Sequence, residues 1–413
     1  MLQINHRNAL GYFLVAVFAT LNLQAATYYV STSGNDSYNG TSVSTPWQTI
    51  AKVNAQTLLP GDKVLFQAGG IWREELELKP GTAGEGNRVY YGRYDTGINP
   101  KILGSNVATS WTTTAYPNIW QSATVLSNPR SGDWGYPGET YFVTNDSTSW
   151  GDYQSYTSNF SNLTSEFDWT WNSNKMYVYS PTDPDTRYDR VEAVQRDVCV
   201  GFVNDQSSYI EFNGIDLHYS RRAGYANQSY PQADNQTDVT IRNCNIGYIG
   251  EKGGACAYGI EAFHSNFLVE NCTITDCGRR GISFNLYEPD VNPALTLSNI
   301  IIRNNVFKRG YHTTSLDIAT DAQEPGHSIE NIYFYGNLID DHEVTMTGED
   351  AGSNQLYFQP YDSYFNNFYV FNNVFIAATL RNILITGGDN VYIHNNTIFS
   401  HNQNITASPY GNI

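Results

Sequence analysis

Residues Asn299 to Phe307 read NIIIRNNVF, and Asn367 to Phe375 read NFYVFNNVF. In both, bulky residues alternate with other side chains until two asparagines end the run. Alternation at period two is the pattern of a half-buried strand, because successive strand side chains point to opposite faces. The pattern can be laid over seven segments, which begin at Ile210 (IEFNGIDL), Val239 (VTIRNCNI), Phe267 (FLVENCTI), Ile300 (IIIRNNVF), Ile332 (IYFYGNLI), Phe368 (FYVFNNVF) and Val391 (VYIHNNTI). Successive starts lie 23 to 36 residues apart, so the motif is tight and the connections vary in length. A repeat of this size marks a solenoid, whose units bury their apolar faces against their neighbours.

Most motifs are followed by a further short alternating run: Ile260 to His264, Ile282 to Leu286, Leu316 to Thr320, Leu356 to Gln359, Ile383 to Thr386 and Ile405 to Ala407. Helical spacing is absent, and β-branched and aromatic residues fill the runs. The expected fold is all-β: a single right-handed parallel β-helix with two or three short strands per coil, stacked about 4.8 Å apart. Asn243, Asn271, Asn304, Asn372 and Asn395, with Gly214 and Gly336, share one coil position. Asn and Gly tolerate the left-handed backbone that a sharp turn between sheets requires. Stacked asparagines can also hydrogen-bond along the ladder. Cys244 and Cys272 occupy the next position in neighbouring coils, where small buried side chains are expected. The five cysteines follow no disulfide or zinc spacing.

The chain has 413 residues, about 40% of them hydrophobic, with 40 acidic and 23 basic side chains. This acidity argues against nucleic-acid binding and against adhesion to anionic membranes. His6 and Arg7, the apolar run Ala9 to Leu23 and then Gln24-Ala25-Ala26 have the form of a secretory signal peptide over residues 1–25. The apolar run is shorter than the ~20 residues of a spanning helix. The expected product is secreted or periplasmic, a monomer, and free of the membrane once the leader is removed.

Upstream of the repeats stand YYVSTSGNDSYNGTSVSTPWQTIAKVNA, LLPGDKVLFQAGGIWREELEL and GTAGEGNRVYYGRYDTGINPKILGS. On these stretches and the repeats the chain resembles the pectin-lyase-like right-handed β-helix proteins, whose first coil and cap carry YxVSxxGxDxxxGT, TPWxTI and PGDxVLF signatures. The resemblance covers nearly the whole mature chain. It implies the fold and a polysaccharide ligand, but no reaction, because that superfamily includes lyases, hydrolases, epimerases and tailspikes. Residues 26–105 read as cap and first coils, and 198–413 as β-helix repeats. Between them, 106–197 loses the rhythm and reads as a β-rich insertion holding Trp111, Trp120, Trp134, Trp150, Trp169 and Trp171, most of them expected in packing. The repeats break off at Pro409 to Ile413, part way through a coil, so the expectation is either a longer native product or another segment that covers that end.

Outward residues of successive coils form columns. Glu261, Ser283, Asp317 and Tyr357 make one in the later strand, and Phe263, Asn285, Ala319 and Gln359 the next. The preceding turns carry Lys252, then Arg279 and Arg280, then Lys308, Arg309 and His312. Outward charges often form only a solvated face, yet a cationic stripe on an acidic chain points to an acidic polysaccharide substrate.

Two reactions fit. β-Elimination of a uronate, the favoured expectation, needs a cation on the carboxylate and a base, for which Arg279, Arg280, Lys252 and His312 are candidates. Glu261 and Asp317 would then bind Ca²⁺. Phe263, Ser283, Asn285, Lys308, Arg309, Tyr357 and Gln359 would contact substrate. Hydrolysis would instead use Glu261 and Asp317 as its two carboxylates, with backbones roughly 9 to 10 Å apart two coils along the stack. A non-catalytic polysaccharide-binding or adhesion protein is the third reading. No organic cofactor is expected. Gly326-His327 and the acidic group Asp340, Asp341, Glu343, Glu349 and Asp350 are weaker signals, the latter expected as a solvated loop ahead of a second place for Ca²⁺.

Overall fold

The motif starts stack in one column. Ile210, Val239, Phe267, Ile300, Ile332, Phe368 and Val391 are successive partners in a single parallel sheet. The column continues upstream to Val89. The first six are buried, and Val391 packs half-buried against the same core.

The computed structural model describes residues 25–79, 87–132, 137–145, 147–202, 208–227, 237–254, 256–286, 296–320, 328–342, 353–359 and 364–399. Residues 1–24 of the expected leader, Trp134, Gly326-His327, Glu343, Glu349, Asp350, Ile405 to Ala407 and Pro409 to Ile413 lie outside these residues.

Three parallel sheets wrap one continuous apolar core. The first has ten strands, from Thr27–Val30 to Asp389–His394, and contains the motifs. The second has nine short strands, from Ile71–Trp72 to Thr397–Phe399. The third has eight, from Leu76–Leu78 to Arg381–Ile385. A typical coil visits them in order: Ser265–Glu270, Thr273–Cys277, Arg280–Leu286.

The turn from first to second sheet is left-handed in every motif. Asn243, Asn271, Asn304, Asn372 and Asn395 have φ of 55° to 57°, and Gly214 and Gly336 have 69° and 68°. The hydrogen-bonded ladder runs one residue later than these. The Oδ1 of Asn305 accepts from the backbone N–H of Cys272 at 2.9 Å, that of Asn337 from Asn305 at 3.0 Å, and that of Asn373 from Asn337 at 2.9 Å. Each Nδ2 donates back to a carbonyl of the previous coil at 3.0 to 3.1 Å. The two asparagines of NNVF thus divide the work: the first supplies backbone conformation, the second supplies hydrogen bonds. A further left-handed row precedes the apolar run, at Asn266, Asn299, Asn331, Asn367 and Asn390. Side-chain amides link Asn299 to Asn266 at 2.9 Å and Asn367 to Asn331 at 3.0 Å. All five cysteines are free thiols.

One coil is interrupted between its second-sheet strand Lys101–Leu103 and its third-sheet strand Val198–Phe202. Two smaller, largely antiparallel sheets of four and five strands lie in between. Trp111 and Trp169 are buried in their own core, with Trp120 and Trp171 packed against it. They are fastened to the solenoid by Arg73, whose guanidinium donates twice to Glu192 at 2.6 and 2.8 Å, and by Tyr141, whose hydroxyl donates to the Gly250 carbonyl at 2.9 Å.

Candidate active site

The third sheet sets the column register directly. Ala226, Glu261, Ser283, Asp317 and Tyr357 are successive partners. So are Asn285, Ala319 and Gln359. Nearer the turn runs a column of Ala223, Tyr258, Arg280, Thr313, Asn354 and Arg381. Between the two, Tyr225, Ile260, Ile282, Leu316 and Leu356 point into the core. Irregularities fall between Arg280 and Ile282 and between Thr313 and Leu316. Such bulges re-aim side chains, and here they turn Arg280 and Thr313 toward Asp317.

Asp317 is fully buried although it faces outward. Its Oδ2 accepts from Thr313 Oγ1 at 2.8 Å and lies 3.0 Å from Arg280 Nε and 3.7 Å from His312 Nδ1. Arg280 also donates from Nη1 to the Tyr258 hydroxyl at 3.3 Å. Glu261 is 4% exposed and accepts from Arg222 Nη2. Burial pushes the Glu261 carboxyl above the usual range, and the positive charges of Arg222 and Arg280 oppose that shift without cancelling it. In the intervening coil the Ser283 hydroxyl is buried, and neither it nor Asp317 Oδ1 has a hydrogen-bond partner among the described residues. The His312 and Tyr357 rings meet edge to face at 5.9 Å, and the Tyr357 hydroxyl donates to Gln359.

Only part of the cationic stripe reaches this cluster. Arg280 and His312 do. Lys252 instead lies over the rings of Trp150 and Tyr311, at 5.6 and 5.7 Å, where desolvation lowers its pKa. Arg279 donates to the Gly254 carbonyl at 3.3 Å. Arg309 is spent on Asp276 at 2.7 Å and on Thr275 Oγ1 at 2.9 Å. Lys308 belongs to the second sheet, paired in register with Asp340. Phe263 departs from its expected outward position: the strand ends at Glu261, and the ring joins the core. The backbone of Asn285 sits in the strand, and its side chain lies outside the described residues.

Sequence reading missed Arg222, Tyr258 and Thr313. A signal for Arg222 existed, because the doublet Arg221-Arg222 occupies the same turn that holds Arg279-Arg280. Beyond it a cavity of about 490 Å³ extends the groove upstream of Glu261, lined by Arg222, Ala226, Arg196, Asp197 and Glu75.

The donor set does not suit Ca²⁺. Glu261 and Asp317 each face a guanidinium, which opposes a cation at the same oxygens. No group of three His, Cys, Asp or Glu side chains converges among the described residues.

No family model matches the chain. A lacto-N-biosidase of Bifidobacterium longum subsp. longum is 36% identical over 96 residues, which are 22% of this chain and 6% of that protein. XylC, solved in complex with xylose, superposes with a TM-score of 0.55 at 16% identity over 88% of this chain and 67% of its own. The GH136 lacto-N-biosidase from Eubacterium ramulus covers 91% of this chain and 68% of its own at 14% identity, with a TM-score of 0.42. In fold, the protein is a parallel β-helix of three stacked sheets.

Proposed function

We propose that the protein is a secreted carbohydrate-active enzyme that hydrolyses glycosidic bonds, with Glu261 as general acid and Asp317 as general base. One observation carries the reading: two buried carboxylates stand two coils apart in one column, and the position between them bears a small hydroxyl residue with unmet hydrogen-bonding capacity. Backbones two coils apart are separated by roughly 9 to 10 Å, near the upper end of the spacing at which inverting enzymes fit a water beside the sugar. Ser283 and Asp317 Oδ1 supply the polar atoms to orient that water.

In the reaction, Glu261 gives its proton to the glycosidic oxygen as the C1–O bond breaks. Water attacks C1 from the opposite face, and Asp317 takes the proton it loses. The products are a hemiacetal of inverted configuration and an alcohol. Both carboxylates face a guanidinium, but the Glu261 carboxyl stays raised by burial in spite of Arg222, which suits the acid, and Asp317, held by Thr313 and Arg280, is left as the base. The short identity to a lacto-N-biosidase supports the same class, and the leader-like N-terminus supports secretion.

β-Elimination, favoured by the cationic stripe in the sequence, loses most of its support because Arg222 and Arg280 are each paired with a carboxylate. It keeps His312 and Tyr357, whose rings meet beside Asp317 and which offer an imidazole and a phenol as separate proton-carrying groups. The test is to incubate the protein with a panel of uronic, sulfated and neutral polysaccharides and follow near-ultraviolet absorbance, reducing ends and anomeric configuration together. New reducing ends of inverted configuration without added absorbance are expected. Unsaturated-uronate absorbance would establish elimination, and binding without new chain ends would leave a non-catalytic binder.

A further inference from the structure

A second groove lies on another face, where the outer side of the second sheet meets the inserted sheets. It encloses about 590 Å³, within the range of small-ligand sites. Its floor is built by two outward columns: Lys101 pairs with Asp216, and Leu103 with His218, which in turn pairs with Gly247. Gly247 has no side chain to cover the imidazole from the next coil. Arg190 and Thr148 come from the insertion, and Ile98 and Ile71, 70% and 42% exposed, form an apolar rim.

The charge in this groove is unbalanced. Among the described lining residues three are cationic, Arg93, Lys101 and Arg190, and one is acidic, Asp216. The carboxylate of Asp216 is already committed, to the amides of Asn99 at 2.8 Å and Asn245 at 3.0 Å and to the Asn245 backbone at 2.9 Å. Arg190 shares Glu192 with Arg73. For the Lys101 ammonium there is no ion pair among the described residues. His218 Nε2 is buried without a hydrogen-bond partner among them, and burial lowers the ring to about 4, so it is neutral at pH 7. Uncompensated positive charge in a concavity of an acidic chain attracts an anion. An exposed apolar rim, a neutral imidazole and the Tyr248 ring stacked on it at 6.2 Å suit the faces and hydroxyls of a sugar.

We propose that this groove is a carbohydrate-binding site distinct from the third-sheet column, and that it takes an acidic sugar whose carboxylate is held by Lys101 with Arg93 and Arg190. It binds a uronate unit of a chain without cleaving it, and it does not depend on the reaction assigned to Glu261 and Asp317.

The test is calorimetric titration of the full chain with tetragalacturonate, and with xylotetraose as the neutral control. Tetragalacturonate binding is expected to weaken as salt rises, since the contact is an open charge pair. Lys101→Glu should weaken it by about tenfold or more with an unchanged melting temperature, and Lys101→Gln by several-fold. The double variant Glu261→Gln/Asp317→Asn should bind it as the native protein does. Equal affinity for both sugars, unchanged affinity in both Lys101 variants, or binding lost in the double variant would each overturn the proposal. If Lys101→Glu does not fold, Lys101→Gln alone decides it.

Discussion

The two grooves of this solenoid hold their arginines and lysines in opposite company. On the third sheet Arg222 meets Glu261 and Arg280 meets Asp317, and all four side chains are nearly closed off from solvent. In the second-sheet groove Lys101 has no acidic partner among the described residues and Asp216 is tied up by amides. Burial explains the difference. A charge removed from water must be paired, whereas one at an open groove stays solvated and available to a ligand. Buried ion pairs are poor stabilisers compared with apolar packing, so two of them along one column point to chemistry. The cations of the molecule therefore divide between two tasks, and those of the second groove, Arg93, Lys101 and Arg190, stand outside the stripe visible in the sequence.

The largest expected effect tests the third-sheet half of this contrast. Glu261→Gln and Asp317→Asn should each reduce turnover by about a thousandfold or more, measured as kcat on whichever polysaccharide is cut, while tetragalacturonate binding is retained. Residual turnover within tenfold of native in either variant would remove that residue from the mechanism.

The scaffold comes next, since both grooves hang on the same ladder. Asn337→Ala leaves the buried Asn305 N–H without its acceptor and the Ile302 carbonyl without its donor. A loss of about 2 to 4 kcal/mol is expected from two such groups, read by denaturant unfolding. A change below about 0.5 kcal/mol would show that the ladder is decorative.

pH sharpens the comparison further. Glu261 must be protonated to act, so activity should fall as pH rises through its raised pKa. Removing the opposing charge with Arg222→Gln should carry that alkaline limb to higher pH, and a downward shift would contradict the assignment. Glu139, buried in the insertion against Trp169, is raised to about 8 by burial. The folded state therefore keeps a proton that the unfolded chain loses above pH 4.5. Its stabilising contribution is full below that value and is lost as pH rises toward 8, by on the order of 1.4 kcal/mol per pH unit. Melting curves from pH 5 to 8 should show that slope flattened in Glu139→Gln.

The smallest effect is expected at a member of the stripe that reaches neither groove. Lys308→Ala should change kcat/KM by less than about twofold, and a loss of tenfold would return Lys308 to the substrate path.

Much of this architecture is legible in the sequence because its determinants are local. Period-two alternation fixes which residues of Ile300–Ile302 face inward, and once the motifs are aligned the register places Glu261, Ser283, Asp317 and Tyr357 in one column. The asparagine and glycine row fixes the left-handed turns, since few other side chains accept that backbone. What alignment cannot give is the direction of a side chain that leaves the regular strand. Bulges beside Arg280 and Thr313 turn those residues onto Asp317, the end of the strand at Glu261 drops Phe263 into the core, and the inserted sheets draw Lys252 to Trp150. Which cation meets which carboxylate, and which stays unpaired for a ligand, depends on contacts between residues far apart in the chain. Local pattern determined the coil and its columns; only the packing of coil against coil and of insertion against solenoid decided where the charge is buried and where it is open.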